Sequence, residues 1–309
     1  MKKLQGSLLL LLTTLLWGLA FVAQSTAAES IGPLTFNFTR CLLAAAFLFA
    51  VLLIRNSALR ITKKRSPVLS RKRLLLGGVL CGITLFSGMY LQQAGIAAYP
   101  PDAASSGRAG FLTATYVIMI PVAERVSGKK FRLPVILAVI GCIFGMYLLC
   151  MSGGFEGIYL GDILELGCAV GFTSYILVVD RFTDLDGLSL SCVQFVVCGM
   201  ICGAGMLIFE KPDSGALLQA WLPVVYAGIV SSGIGYTLQI LGQKNAEPAV
   251  ASVIMSLESV FAAVFGWIIL GEGLSIREII GCALVFASVI AAQLPDLIPR
   301  KKPLSSDNE

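Results

Sequence analysis

Four ionisable side chains stand inside long apolar stretches of this sequence: Arg40, Arg108, Glu165 and Glu258. A guanidinium presents a planar fork of N–H donors that matches a carboxylate or a phosphate. A carboxyl in apolar surroundings can take up and release a proton. Uncharged polar residues accompany them at helical spacing. Asn37 precedes Arg40 by one turn, Thr13, Trp17 and Gln24 share a face, and Ser232, Tyr236, Gln239 and Gln243 share another. Such a set can anchor an anionic group through Arg40 or Arg108, contact an apolar or aromatic body through Trp17 and Tyr236, and carry a coupling proton on Glu258 or Glu165. Each residue also has a plainer reading. Arg40 can hold an internal ion pair or a helix end, either glutamate can cap or pair, and Gln92 and Gln239 can tie helices together by hydrogen bonds.

The elements that must position these groups follow from composition. The chain has 309 residues, 57% of them hydrophobic and only 13% charged, with a mean hydropathy of +0.86. Soluble domains do not look like this. Ten apolar runs, at about 6–28, 31–54, 74–98, 101–123, 133–152, 158–180, 189–209, 217–243, 247–270 and 276–295, are each long enough to cross a hydrocarbon core of about 30 Å as a helix. Alternating strand patterns are absent, which argues against a barrel. The prediction is an all-α integral membrane protein of ten transmembrane helices, surrounded by the lipid bilayer. A charge at membrane depth is expensive unless it faces the bundle interior or water, so each of the four is a functional candidate. Arg40 falls roughly 10 Å below the membrane surface at 1.5 Å per residue.

Basic residues orient the bundle. With the N-terminus inside, nearly all Lys and Arg fall on the cytoplasmic side: Lys2 and Lys3, the loop from Arg55 to Arg73, that from Arg125 to Arg132, Arg181, Lys244, and Arg300 to Lys302. Only Lys211 and Arg277 fall outside. This bias predicts a multi-pass protein of the cytoplasmic membrane with both termini cytoplasmic. It also requires that the run from Gly6 to Ala28 be retained as a helix rather than cleaved as a signal. Loop bias accounts for the net charge of +5 without a nucleic-acid partner. Nine cysteines lie scattered through apolar runs and read as small hydrophobes. With no histidine in the chain, neither a metal nor another cofactor is expected.

The chain repeats itself. Shifted by 147 residues, GMYLQQAGIAAYPPDAAS (88–105) lies over GYTLQILGQKNAEPAVAS (235–252), pairing Gly88 with Gly235, Gln92 with Gln239, Gly95 with Gly242 and Pro101 with Pro248. At a shift of 155, Gly6 lies over Gly161 and Trp17 over Phe172; at 140, VIGC (139–142) lies over IIGC. Five helices per unit is an odd number, so the second unit must be inverted, as in secondary transporters that bind at the midplane between two repeats. The predicted organisation is a five-helix repeat over 1–155, an inverted five-helix repeat over 156–297 and a short cytoplasmic tail over 298–309. Pro100-Pro101 opens the fourth helix, where Asp102 in the first turn suits the positive dipole end and Arg108 follows deeper. Glu258 on the ninth helix falls opposite Phe111, so the fourth and ninth helices turn ionisable groups toward one central space.

LLWGLAFVAQ (15–24), GPLTFNFTRCLLAA (32–45), RAGFLTATYVIMIPV (108–122) and the segment from Gly233 to Glu272 make the sequence resemble the drug/metabolite transporter superfamily, in its EamA-type branch. The resemblance covers almost the whole chain. It implies two inverted five-helix repeats and movement of a small metabolite, commonly by export. Relatives often have Glu-Pro in the ninth helix, whereas this chain has Glu258-Ser259, which removes an expected helix irregularity. The reading is therefore a permease, not an enzyme, that moves a small amino-acid-like or drug-like molecule by alternating access, with Trp17, Asn37, Arg40, Gln92, Arg108, Tyr236, Gln239 and Glu258 at its site. A passive channel or an intramembrane transferase is the alternative. A transferase needs a nucleophile and a base, and no such constellation is visible.

Overall fold

A computed structural model describes residues 2–61, 70–100, 105–128, 133–150, 158–270 and 275–297. Asp102 and the 298–309 tail lie outside the described residues, and so does the Arg108 side chain. Among the described residues all regular structure is helical. The first half holds α1 (Lys2–Ala28), α2 (Pro33–Ile61), α3 (Arg71–Ala97), α4 (Ser105–Thr113), α5 (Tyr116–Val126) and α6 (Leu133–Cys150). The second holds α7 (Leu160–Arg181), α8 (Gly187–Phe209), the short α9 (Ser214–Gln219), α10 (Trp221–Val225), a π-helix (Tyr226–Tyr236), α11 (Thr237–Gln243), α12 (Pro248–Met255), α13 (Leu257–Phe265), a second π-turn (Gly266–Leu270) and α14 (Ile276–Leu297). Among the described residues, eight helical stretches are long and apolar enough to cross a membrane. Large apolar side chains such as Leu42, Phe49, Ile83, Ile140, Phe144 and Met200 point outward, as a lipid-facing surface requires.

Helices pack where small residues let backbones approach. Gly78 and Gly82 of α3 face Val193 and Val197 of α8, Gly167 and Gly171 of α7 face Leu91 and Gly88 of α3, Gly199 and Gly203 of α8 face Cys41 and Phe38 of α2, and Gly141 and Gly145 of α6 face α14. The packing has a twofold pattern. α1 packs on α13 and on the α10–α11 segment, while α7, which the 155-residue shift lays over α1, packs on α4, α5 and α3. α2 packs on α8, and α6 on α14.

The α2–α8 pair is fastened at both ends. At the end that carries Lys3, Arg181 and Lys244, hereafter the basic end, Asp186 caps α8 through Ser189 N at 3.0 Å and accepts both terminal nitrogens of Arg55, at 2.7 and 3.0 Å. Partial burial alone would raise the Asp186 carboxyl, but the hydrogen bonds from Arg55 and Ser189 outweigh it and hold the group below the usual carboxylate range. At the opposite end Glu210, just past α8, accepts Leu34 N and Thr35 N at 2.8 Å each, satisfying the first turn of α2.

The ninth-helix irregularity expected to be missing is present. α12 stops at Met255 and α13 restarts at Leu257. There Ser259 N bonds Ser256 O rather than the carbonyl four residues back, and the hydroxyls of Ser256 and Ser259 bond Val253 O and Ser256 O at 2.7 and 2.8 Å. Serine hydroxyls competing for the turn's carbonyls bend a helix without proline. The α4–α5 junction is built alike, with Thr115 Oγ1 bonded to Leu112 O at 2.6 Å.

Candidate functional site

A narrow cleft with a free volume of about 30 Å3 lies at the centre of the bundle. Of the eight binding residues expected from sequence, six line it: Trp17, Arg40, Gln92, Tyr236, Gln239 and Glu258. They come from α1, α2, α3, the π-helix, α11 and α13. Residues separated by more than two hundred positions thus meet at one wall.

Arg40 is 2% exposed. Its Nε donates to Ser232 Oγ at 2.5 Å, one terminal nitrogen to Ser231 Oγ at 3.1 Å and the other to Gln24 Oε1 at 3.4 Å. Its central carbon lies 6.0 Å from the centre of the Tyr236 ring. All these partners are neutral, and no carboxylate among the described residues pairs with it. The internal ion pair, one of the two plainer readings of Arg40, is therefore absent among the described residues. A buried cation so placed retains its full charge toward whatever enters the cleft.

Glu258, 5% exposed, accepts a hydrogen bond from the Tyr116 hydroxyl at 3.1 Å. Tyr116 lines the cleft from α5 and was not among the residues singled out in the sequence; only its place in the RAGFLTATYV motif marked it. Tyr236 packs against Trp17 with ring centres 4.7 Å apart, and Tyr175 and Phe195 back it edge-on. Trp17 Nε1 is held by Ser231 O at 3.2 Å. Phe21 and Phe172 add aromatic wall.

The glutamines divide. Gln93 Nε2 bonds Gln24 O at 3.1 Å and Gln243 Nε2 bonds Ile176 O at 3.3 Å, tying helices together. Gln92 and Gln239 line the cleft, and the Gln239 carbonyl oxygen has no partner among the described residues. Ideal α spacing puts Ser232 on the face of Tyr236, but the π winding widens the turn and places Ser231, five residues before Tyr236, on the cleft with it.

Two expected residues stand elsewhere. Asn37 is buried off the cleft, where its Nδ2 donates to Met89 O at 3.0 Å and joins α2 to α3. Glu165 is fully buried between α7 and α4, accepting the Thr113 hydroxyl at 2.6 Å. Arg108 belongs to α4, but its side chain is outside the described residues.

Beyond the cleft on each side, two glycines bring helices into backbone contact. A Cβ on Gly6 of α1 would lie 2.8 Å from the Gly242 carbonyl oxygen of α11, at the basic end. A Cβ on Gly161 of α7 would lie 2.9 Å from the Gly95 carbonyl oxygen of α3, at the opposite end.

Among the described residues the architecture is all-helical and multi-pass around a buried polar cleft, that of an integral membrane protein. The chain belongs to the EamA-like transporter family, which matches residues 4–151 and 159–292. It is 26% identical over 298 residues to an uncharacterized transporter of Archaeoglobus fulgidus, across 95% of this chain and 87% of that protein. It is 24% identical to the uncharacterized transporter YoaV of Bacillus subtilis, across 89% and 92% of the two chains, and 24% identical to the uncharacterized inner membrane transporter YedA of Escherichia coli K12, across 94% and 91%. A solved crystal structure shares the fold with a TM-score of 0.74 at 19% identity, covering 94% of this chain and 96% of that one.

Proposed function

We propose that this protein is a secondary transporter of ten transmembrane helices in two inverted five-helix repeats, 1–155 and 156–297, exporting a small organic metabolite across the cytoplasmic membrane by alternating access. The exchange of packing partners between α1 and α7 and the two matched stretches of the family support the repeat. The bias of Lys and Arg toward the end that carries the N-terminus supports a cytoplasmic basic end. Glycine contacts that join helices beyond both ends of the cleft support a carrier rather than a passive pore.

The observation that carries the reading is Arg40: a buried guanidinium with only neutral partners, facing a cleft whose aromatic wall is Trp17, Tyr236 and Phe172. It anchors the carboxylate of the substrate. Glu258 lines the same cleft and is the acceptor for a cationic group or a coupling proton, so the chemistry favours an amino-acid-like zwitterion with an apolar body. Gln92 and Gln239 supply symmetry-related amides to its polar atoms. The test is counterflow in proteoliposomes with a panel of labelled amino acids, simple carboxylates and amines. Saturable exchange of amino acids, lost in Arg40→Ala, is expected; exchange confined to amines, or untouched by Arg40→Ala, overturns the anchor.

A further inference from the structure

The two glycine contacts are equivalent by the internal repeat. Gly6 and Gly161 correspond at a shift of 155, and Gly242 and Gly95 at a shift of 147. At the basic end a Cβ on Gly242 would meet Leu10 at 2.8 Å; at the opposite end a Cβ on Gly95 would meet Glu165 Oε1 at 2.7 Å. Leu10 and Glu165 themselves correspond at the shift of 155. One seal is therefore closed by an isobutyl group and its twin by a carboxyl.

That carboxyl is incompletely satisfied. Its Oε2 accepts from Thr113, but its Oε1, pressed into the space left by Gly95, is fully buried with no partner among the described residues. As a neutral acid it fits this groove at moderate expense; as a carboxylate it is buried with only the Thr113 hydroxyl and the weakly donating Cys168 thiol beside it and no cation among the described residues. The groups around it explain no obligatory charge. Asp162 and Cys168 sit on its own helix, and Tyr99, following α3, donates to Asp162 at 2.9 Å. α3 meets Glu165 with Gly95, its Cys81 and Tyr90 lying more than a turn away along the helix. α4 brings Thr113 and carries Arg108, whose side chain is outside the described residues. α5 brings Tyr116, which is bonded to Glu258 of α13. α11 and α12, also packed on α7, contain no titratable residue.

We propose that Glu165 is a proton-operated latch on the opposite-end gate, holding α7 against Gly95 when protonated and releasing it when the proton passes to water on that side. The gate at the basic end, sealed by Leu10, has no such control. Glu165 then senses the pH of one face of the membrane and is not the carrier of a transported proton. The inference rests on the alternating-access reading for its meaning, but its test needs no substrate.

The test is labelling of Ala20→Cys, a cleft position, by a membrane-impermeant maleimide applied to the face away from the basic end, with the unsubstituted chain as the blank. Maleimide reaction itself quickens with pH, so the readout is the rate in Ala20→Cys divided by the rate in Ala20→Cys/Glu165→Gln. The amide keeps an acceptor for Thr113 and mimics the protonated acid. The ratio is expected near one at low external pH and to rise several-fold as the external pH is raised. Glu165→Leu, the side chain of the other seal, is expected to behave as Glu165→Gln. A ratio that stays constant with pH in both variants overturns the latch. A rise governed by the pH of the other face upholds the latch and overturns the orientation; an intact labelling pattern with no flux of any substrate overturns the transport reading alone.

Discussion

Arg40 gives up bulk water for two hydroxyls, one amide oxygen and the face of Tyr236. That exchange leaves charge to spare, and the spare charge is what a carboxylate would meet. Arg40→Gln is expected to weaken binding of an anionic substrate roughly 10- to 100-fold, the equivalent of about 1.5–3 kcal/mol for a charge-assisted hydrogen bond. Arg40→Lys recovers part of it, because an ammonium keeps the charge but loses the planar fork. Equilibrium binding of the substrate identified by counterflow checks both. Glu258→Gln separates two roles of one carboxyl. If Glu258 carries the coupling proton, the variant still exchanges substrate but no longer concentrates it under an imposed pH gradient; flux measured with and without the gradient decides this. Arg40, Glu258, Trp17 and Tyr236 were legible in the sequence because charge and aromatic rings at membrane depth are conspicuous. Tyr116 was not, because a tyrosine in an apolar run gives no sign of its partner.

At the scale of elements, hydroxyl groups do what a proline would do. At the α12–α13 junction Ser259 N donates only to Ser256 O, at 3.2 Å, instead of to the carbonyl four residues back. Ser259→Pro falls in the first turn of α13, where proline is tolerated, and is expected to change stability by less than about 1 kcal/mol. Val253→Pro, inside α12, is expected to cost about 3 kcal/mol or more. Thermal unfolding of the two variants in detergent compares them. The α2–α8 pair offers a second check. Asp186→Asn removes the charge that holds Arg55 and weakens the cap of α8, for an expected loss of about 1 kcal/mol. The Asp186 carboxyl is held below its ordinary range, so its contribution is complete above a pH of about 4 and is lost as pH falls further. The wild type is expected to lose its advantage over Asp186→Asn along that descent, read as converging melting temperatures.

At the scale of the whole molecule, helices from both halves of the chain line one cleft, and glycines bring backbones together beyond each end of it. Gly242→Val places branched carbon against Leu10 and the Gly6 carbonyl, so it is expected to hold the basic-end gate apart while leaving the Gly95–Gly161 contact intact. An Ala20→Cys reporter then becomes reactive from the basic side and stays protected from the other; equal reactivity from both faces would show that the two gates are not independent. Reporter fusions at Met1 and Glu309 are expected on the same side of the membrane, as an even number of spans requires.

Hydropathy, charge bias and internal similarity are local or additive properties, and they sufficed to read an all-helical membrane protein with six of the cleft's residues. The break in α12–α13 escaped because it comes from which carbonyl a serine hydroxyl chooses, and the face of Ser231 because it depends on a π winding that α periodicity does not contain. That Asn37 ties α2 to α3 rather than facing the cleft, and that Gly95 comes to rest against Glu165, depend on how the helices rotate and slide against one another. Those degrees of freedom are settled only when close packing selects one arrangement of all the side chains at once.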